Sequence, residues 1–219
     1  TQIGALTATE MAALSTTALS GLTADDVAAL SVTQLAQLSA TGMGALATEV
    51  VAALTTTQLG ALSATALGGL TTSQAAVLGT TQLAALTRTQ MAALSTTGVA
   101  GLTATQVAAL TTTQLAAMSA TQISALSASG ISGMTATELS GLTTTQFRSL
   151  SATGVAGLTA TQLAGLTTAQ IQQLSTTSLS GLTASQVAAL NGAQFEALSS
   201  TQIAALSSDG VRGLTETQL

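Results

Sequence analysis

The sequence contains no cysteine, proline, histidine, lysine, tryptophan or tyrosine. The absence of cysteine excludes disulfide bonds. Histidine, cysteine, lysine and tyrosine are also the usual tunable bases and nucleophiles, and the many Ser and Thr hydroxyls have no histidine to activate them. We therefore predict that the chain is not an enzyme, and we expect no catalytic residue, no cofactor-binding residue, no metal ligand and no cofactor.

Charge and long apolar runs are also scarce. Three Arg and eight acidic residues give a net charge of -5, which argues against nucleic acid and anionic membrane surfaces as partners because both attract clustered cations. A Ser, Thr or Gln interrupts the apolar residues every few positions, and no basic segment precedes an apolar stretch at the N-terminus. We expect neither membrane insertion nor a secretion signal within these residues.

The 219 residues are 47% hydrophobic, but only 1% are aromatic and 5% are charged. The hydrophobic share is mostly Ala and Leu, and the remainder is mostly Thr, Ser, Gln and Gly. Ordinary globular domains carry several times more charge. This composition is typical of a low-complexity array rather than of a domain with a single core.

The array has a period of eight residues. Counting the apolar anchor as position one, 27 anchors run without insertion from Leu6 to Leu214, and 25 of them are Leu. The consensus octad is Leu-[Thr/Ser]-x-[Thr/Ser]-Gln-[Leu/Val/Ile/Met/Phe]-Ala-[Ala/Gly]. Partial octads stand at both ends and neither resembles a polar cap, so we expect residues 1–219 to be one uncapped array excerpted from a longer one.

The spacing inside the octad predicts a helix start. Position two is Ser or Thr in 24 of 27 octads, and position five is Gln in 15. In a capping box, the Ser or Thr side chain accepts a hydrogen bond from the backbone amide of the residue three positions later. The Gln or Glu side chain of that later residue accepts one from the backbone amide of the Ser or Thr. The anchor and the residue at position six then stand on either side of the box and form a hydrophobic staple. Of the remaining position-two residues, Asn191 and Gly79 are acceptable caps and Ala47 is a poor one.

A cap signal every eight residues predicts one short helix of about six residues in each octad. The fold predicted is therefore an all-α solenoid of very short capped helices, stabilised by packing of neighbours. One continuous helix does not fit the pattern, because successive anchors would be rotated by about 80° around the helix axis and would form no common apolar face. A β-solenoid is the alternative, because Thr and Val favour strands, although Ala and Gln favour helix.

A second period predicts how the octads are wound. Eight octads replace the position-five Gln by a small residue, and these octads follow one another at every third or fourth repeat. The mean spacing predicts about 3.4 octads per superhelical turn. Seven of these octads also end in Gly. Because Gly weakens helices, we interpret this pattern as a stripe where backbones approach closely. The eight small residues are Ala18, Gly42, Ala66, Gly98, Gly130, Gly154, Ser178 and Gly210.

The few unusual side chains have simple structural interpretations. The adjacent pair Asp25 and Asp26 could ligate a cation weakly, but a helix N-terminus also favours negative charge, and we prefer that interpretation. Phe147 and Phe195 stand at position six and are interpreted as core residues. The position-five Gln could form an exposed binding ladder, but capping explains its spacing better. We assign the three isolated arginines to the solvated surface: Arg88, Arg148 and Arg212.

The octad resembles the Ala-, Thr- and Gln-rich Leu-Thr-x-x-Gln repeats of long secreted or surface proteins of bacteria, and the resemblance covers the whole chain. It implies an extended extracellular or cell-surface rod, an adhesin stalk or a self-assembling filament, with other copies of the chain as partners. The regular Thr spacing supports an alternative hypothesis, a repetitive binding surface for a polysaccharide or for ice.

Overall fold

The computed structural model describes residues 2–218, and all of the regular secondary structure in these residues is helical. A 3-10 helix at Gln2–Ala5 precedes 26 α-helices of four to six residues, and no strand occurs within residues 2–218. The all-α prediction is confirmed and the β-solenoid alternative is wrong. It fails because extended backbone is confined to the anchor and the cap, at the junctions between helices. Each cap then starts a new helix, so no strand can form.

The chain forms two compact units. Unit 1 comprises Thr1–Leu102 and Ala109–Met118. Its helices are α1 (Ala8–Ala12), α2 (Thr16–Ser20), α3 (Ala24–Ala28), α4 (Val32–Leu35), α5 (Ala40–Ala45), α6 (Thr48–Ala53), α7 (Thr56–Ala61), α8 (Ala64–Leu67), α9 (Thr72–Ala76), α10 (Thr80–Ala84), α11 (Arg88–Ala93), α12 (Thr96–Ala100) and α14 (Thr112–Ala117).

Unit 2 comprises Thr103–Ala108 and Ser119–Leu219. Its helices are α13 (Ala104–Ala108), α15 (Ala120–Ala125), α16 (Ala128–Gly133), α17 (Ala136–Ser140), α18 (Thr144–Arg148), α19 (Ala152–Ala156), α20 (Ala160–Ala164), α21 (Thr168–Gln173), α22 (Thr176–Leu179), α23 (Ala184–Ala188), α24 (Gly192–Glu196), α25 (Ser200–Ala204) and α26 (Ser208–Arg212). The single array over 1–219 stays a prediction, and Thr1 and Leu219 lie outside the described residues.

Each α-helix starts at position three, directly after the predicted cap. At α7 the cap Thr55 has extended backbone angles (φ -69°, ψ 160°). The backbone N–H of Gln58 donates to Thr55 Oγ1 at 3.2 Å, and the Thr55 N–H donates to Gln58 Oε1 at 3.0 Å. This reciprocal pair satisfies two of the helix's free amides. The poor cap Ala47 accepts no side-chain hydrogen bond, whereas Asn191 accepts one at 3.0 Å.

Each helix ends at position six, seven or eight, before the following anchor. The Leu62 N–H, for example, donates to the carbonyl of Leu59 at 3.2 Å, while Leu62 itself turns extended (φ -62°, ψ 138°). This tight bond closes the last turn, and the next cap restarts the chain in a new direction. Because the helices are too short to persist alone, they depend on contacts with other turns.

Within each unit a helix packs against the third helix along the chain. The contacting pairs of unit 1 are α1 with α4, α2 with α5, α3 with α6, α4 with α7, α5 with α8, α6 with α9, α7 with α10, α8 with α11, α9 with α12 and α11 with α14. Those of unit 2 are α13 with α16, α15 with α18, α16 with α19, α18 with α21, α19 with α22, α21 with α24, α22 with α25 and α23 with α26. Each unit is therefore a helical solenoid.

The core consists of the two staple positions. Position six is buried from Met11 to Val187, and the anchors are buried from Leu30 to Leu206 with the single exception of Leu142. Position six is less buried near the C-terminal side of unit 2, where Ile203 and Val211 are 37% and 48% exposed. The caps at position two lie at or near the surface.

Candidate functional site

The recurring glutamine joins successive turns of the solenoid as well as capping its own helix. In α9, the Thr71 N–H donates to Gln74 Oε1 at 2.9 Å. Gln74 Nε2 donates in turn to the carbonyls of Leu46 and Met43, at 2.7 and 2.9 Å. These acceptors belong to the preceding turn, at the C-terminal end of α5. One buried amide thus satisfies the start of one helix and the end of another.

The same bridge recurs throughout both units. Among the described residues, at least eleven glutamines donate to the anchor carbonyl 28 residues earlier, at 2.5–3.4 Å: Gln34, Gln58, Gln74, Gln82, Gln90, Gln114, Gln162, Gln186, Gln194, Gln202 and Gln218. A separation of 28 residues is three and a half octads, in agreement with the predicted winding. We call these contacts the glutamine bridges.

The bridges explain why position five is Gln rather than Glu. A capping box accepts either residue, but a carboxylate cannot donate to a carbonyl. The buried acid Glu138 performs only the capping half, accepting from the Thr135 N–H at 2.6 Å without a bond to the described residues of the preceding turn. Capping was predicted correctly and the exposed ladder is wrong, because the bridging amides lie inside. Sequence reasoning missed the bridge, although the excess of 15 Gln over two Glu was a signal for it.

The small octads make a different contact between turns. A Cβ atom on Gly133 would lie only 2.5 Å from the Cα of Ala104 on the preceding turn. The same close approach to a Cα of the preceding turn, at 2.5–2.8 Å, recurs at Gly69, Gly101, Gly157, Gly181 and Gly213. None of the described glycines has a positive φ, so these positions need glycine for space rather than for conformation. The predicted close backbone approach is confirmed at these six positions.

Ser178 shows how a small polar residue can replace a bridge. Its Oγ donates to the carbonyl of Leu150, 28 residues earlier, at 2.5 Å. The acceptor is an anchor carbonyl, as in the glutamine bridges, but the shorter side chain requires a closer approach of the two turns. Bridged octads and small octads are therefore two solutions to the same contact.

The side chains singled out by the sequence do not converge on one place. Asp26 completes the capping box of α3, in which Thr23 is the cap, and hydrogen bonds from the Thr23 side chain and backbone lower the pKa of the Asp26 carboxyl. Asp25 stands exposed in the first turn of the same helix. Phe147 is buried and Phe195 half-buried. Among the described residues no three acidic side chains come together. The three arginines, Arg88, Arg148 and Arg212, are exposed as predicted.

A regular row of hydroxyls lies on the surface at position four. This position is Ser or Thr in 22 of 27 octads, from Thr9 to Thr217, and it is exposed in all of them. Position-two hydroxyls are occupied by capping, but the position-four residue takes no part in the box. Asp209 Oδ2 accepts from the Ala184 N–H at 3.0 Å, which places position four beside a helix start of the preceding turn. We call these residues the position-four row.

The fold and its repeating contacts define the chain as an α-helical solenoid repeat protein. None of the helices within residues 2–218 is long and apolar enough to cross a membrane. Residues 51–88 and 88–120 match the family of the ALTTAQ repeat, twice in tandem. The chain thus carries the short Ala-, Thr- and Gln-rich tandem repeat that the octad predicts. No curated protein matches the sequence.

Proposed function

We propose that the chain is an extracellular or cell-surface structural element that extends turn by turn as a rod, stalk or self-assembling filament. The observation that carries this proposal is that the glutamine bridges and the glycine contacts recur with the same geometry within each unit. Every turn then offers the next one the same partners, so adding octads adds length without a new kind of contact.

Composition and resemblance support the location. The octad resembles repeats of secreted and surface proteins. The lack of Lys, with only three Arg, leaves few sites for trypsin-like proteases, and the lack of Cys leaves no thiol to oxidise. The chain is proposed to associate with copies of itself, end to end or side by side, because only 5% of its residues are charged and like-charge repulsion between copies is small.

Small-angle scattering tests the rod. At about 3.4 octads per turn and about 8–10 Å between packed helices, the chain would form a rod roughly 65–80 Å long. Duplicating residues 134–189, seven octads, adds about two turns and should lengthen the particle by about 16–20 Å at unchanged cross-section. An unchanged maximum dimension would rule the rod out. Sedimentation velocity over a concentration series tests self-association, and a monomer at every concentration would oppose it.

The position-four row favours a second candidate function, a binding surface for a polysaccharide or for ice. Its hydroxyls are exposed, evenly spaced along the chain and not needed for capping. Thermal-hysteresis and glycan pull-down assays on the whole chain test this function. Replacing Thr137, Thr145, Thr153 and Thr161 by Ala should abolish the interaction without loss of helicity, and an unaffected interaction would remove the row from consideration.

A further inference from the structure

Gln170 departs from the glutamine bridges. Its Oε1 accepts from the N–H and Oγ1 of Thr167, at 2.9 and 3.1 Å, as in the other boxes. In the bridging octads, Nε2 then donates to the anchor and position-six carbonyls of the preceding turn, which here would be those of Leu142 and Leu139. Within the described chain Gln170 Nε2 makes no such bond. The side chain is only half-buried, whereas the bridging side chain of Gln162 is buried.

Leu142 is displaced at the same place. It is half-buried, while every other anchor from Leu30 to Leu206 is buried. The Leu150 N–H donates to the Phe147 carbonyl at 3.2 Å, but among the described residues the Leu142 N–H makes no equivalent bond to Leu139. Within the described chain the Leu110 N–H lacks this bond as well, yet Leu110 is buried, so it is the exposure of Leu142 that sets this anchor apart. The displaced anchor and the unbridged glutamine therefore belong to one local opening between two turns of unit 2.

The opening is a cleft of about 300 Å³, the lower end of the usual range for small-molecule sites. Its lining combines hydroxyls and amides with two apolar side chains, one partly exposed and one buried, and it contains no charged residue. The lining residues are Ser140, Leu142, Thr144, Phe147, Thr167, Gln170 and Gln173. We call it the Gln170 cleft.

We propose that the Gln170 cleft binds a small neutral polyhydroxylated ligand, a single sugar residue. Sugar hydroxyls both donate and accept, so they match a lining of hydroxyls and amides. Gln170 Nε2 supplies a donor whose orientation is fixed by the capping box at its other end, and the Leu142 side chain supplies an apolar surface for ring C–H groups. The uncharged lining offers no partner for an ionic ligand. This site does not rest on the proposed rod, so either proposal can fail alone.

The test is a titration of the whole chain, labelled with ¹⁵N at its glutamines, with D-glucose. The chemical shift of the Gln170 side-chain amide should change as glucose is added, and the titration should give a dissociation constant on the order of millimolar, as for other ligands of this size. The bridging amide of Gln162 should stay fixed. Gln170→Glu should abolish the response of the remaining cleft amide, Gln173. It should leave helicity and Tm unchanged, because it keeps an oxygen for the Thr167 cap and replaces the Nε2 donor, which has no protein partner, by a carboxylate oxygen at a half-buried position.

Two results would overturn the proposal. One is an unchanged Gln170 amide shift throughout a titration reaching about 100 mM glucose, well above a millimolar constant. The other is a hydrogen-bond scalar coupling between Gln170 Nε2 and the Leu142 carbonyl, which would show that the bridge forms and the cleft is closed. Should Gln170→Glu lower the Tm, Thr144→Val provides a second variant: it removes a lining hydroxyl at the start of α18 and should weaken the response at least several-fold.

Discussion

Gly133 lies directly against the backbone of Ala104 on the preceding turn, with no room for a methyl group between them. The equivalent contact recurs from Gly69 to Gly213, so it sets how closely the small octads of successive turns approach. It is a contact with backbone, which cannot rotate aside as a flexible side chain could.

Gly133→Ala should therefore destabilise the protein by about 1–3 kcal/mol, the usual cost of overpacking. The matched control is Gly60→Ala, because a Cβ on Gly60 meets nothing within 4 Å. That change should stabilise α7 by about 0.5–1 kcal/mol, the helix preference of Ala over Gly. Urea unfolding followed by circular dichroism measures both. Equal effects of the two substitutions would contradict the close-contact interpretation.

The glutamine bridge can be tested by replacing the side-chain nitrogen of Gln74 with oxygen. Gln74 is only 2% exposed. Gln74→Glu keeps an oxygen for the Thr71 amide but replaces the donor to Met43 and Leu46 by a second acceptor. The loss should be at least about 1–3 kcal/mol, because buried carbonyls are left unsatisfied and a carboxylate is buried beside them. The same substitution at exposed Gln37 should change stability by no more than about 0.5 kcal/mol. If Gln74→Glu were as mild as the control, the bridge would contribute nothing.

The sequence predicted the local structure better than the contacts between turns. Position two and position five identify the helix start because a capping box depends on residues three apart. The turn-to-turn contacts involve backbone carbonyls of the preceding turn, which are remote in sequence. Every residue type has a backbone carbonyl, so the sequence does not reveal which ones act as acceptors. The glycine stripe was predictable because close approach excludes side chains. The displaced Leu142 was not, since its octad differs little from its neighbours.

Core burial predicts the largest loss for an anchor. Leu110 is 4% exposed, and Leu110→Ala should cost about 2–5 kcal/mol through lost apolar contact and the cavity left behind. Val77→Ala is a suitable control, since Val77 is 41% exposed. Thermal unfolding compares the two variants. A near-zero effect at Leu110 would show that the anchor does not belong to the core.

A gain of stability is expected at the one poor cap. Ala47 already has the extended backbone of a cap (φ -64°, ψ 150°) but offers no acceptor to the start of α6. Ala47→Ser should supply one and stabilise the protein by about 1 kcal/mol. The reverse change, Ser63→Ala, removes the bond that the Ala66 N–H donates at 3.0 Å and should cost a similar amount. Changes of the same sign in both variants would be inconsistent with capping.

Acid should destabilise the protein through the carboxylates of its capping boxes. A hydrogen bond from the Thr7 backbone, followed by one from its side chain, lowers the pKa of Glu10. Bonds from Thr23 likewise lower the pKa of Asp26. A lowered folded-state pKa means that the unfolded chain binds protons more readily, so this stabilisation is present above the unfolded value, about 4, and is lost as pH falls through the folded value.

The Tm should therefore fall between about pH 6 and pH 3, and it should fall less in a double variant with Glu10→Gln and Asp26→Asn. Both substitutions keep an oxygen for the cap amide, so the variant should retain its helices while losing the titrating groups. Because Glu10 is exposed and Asp26 is only half-buried, added salt should also weaken the difference by screening. Parallel Tm profiles for the two proteins across this pH range would show that the caps contribute no pH dependence.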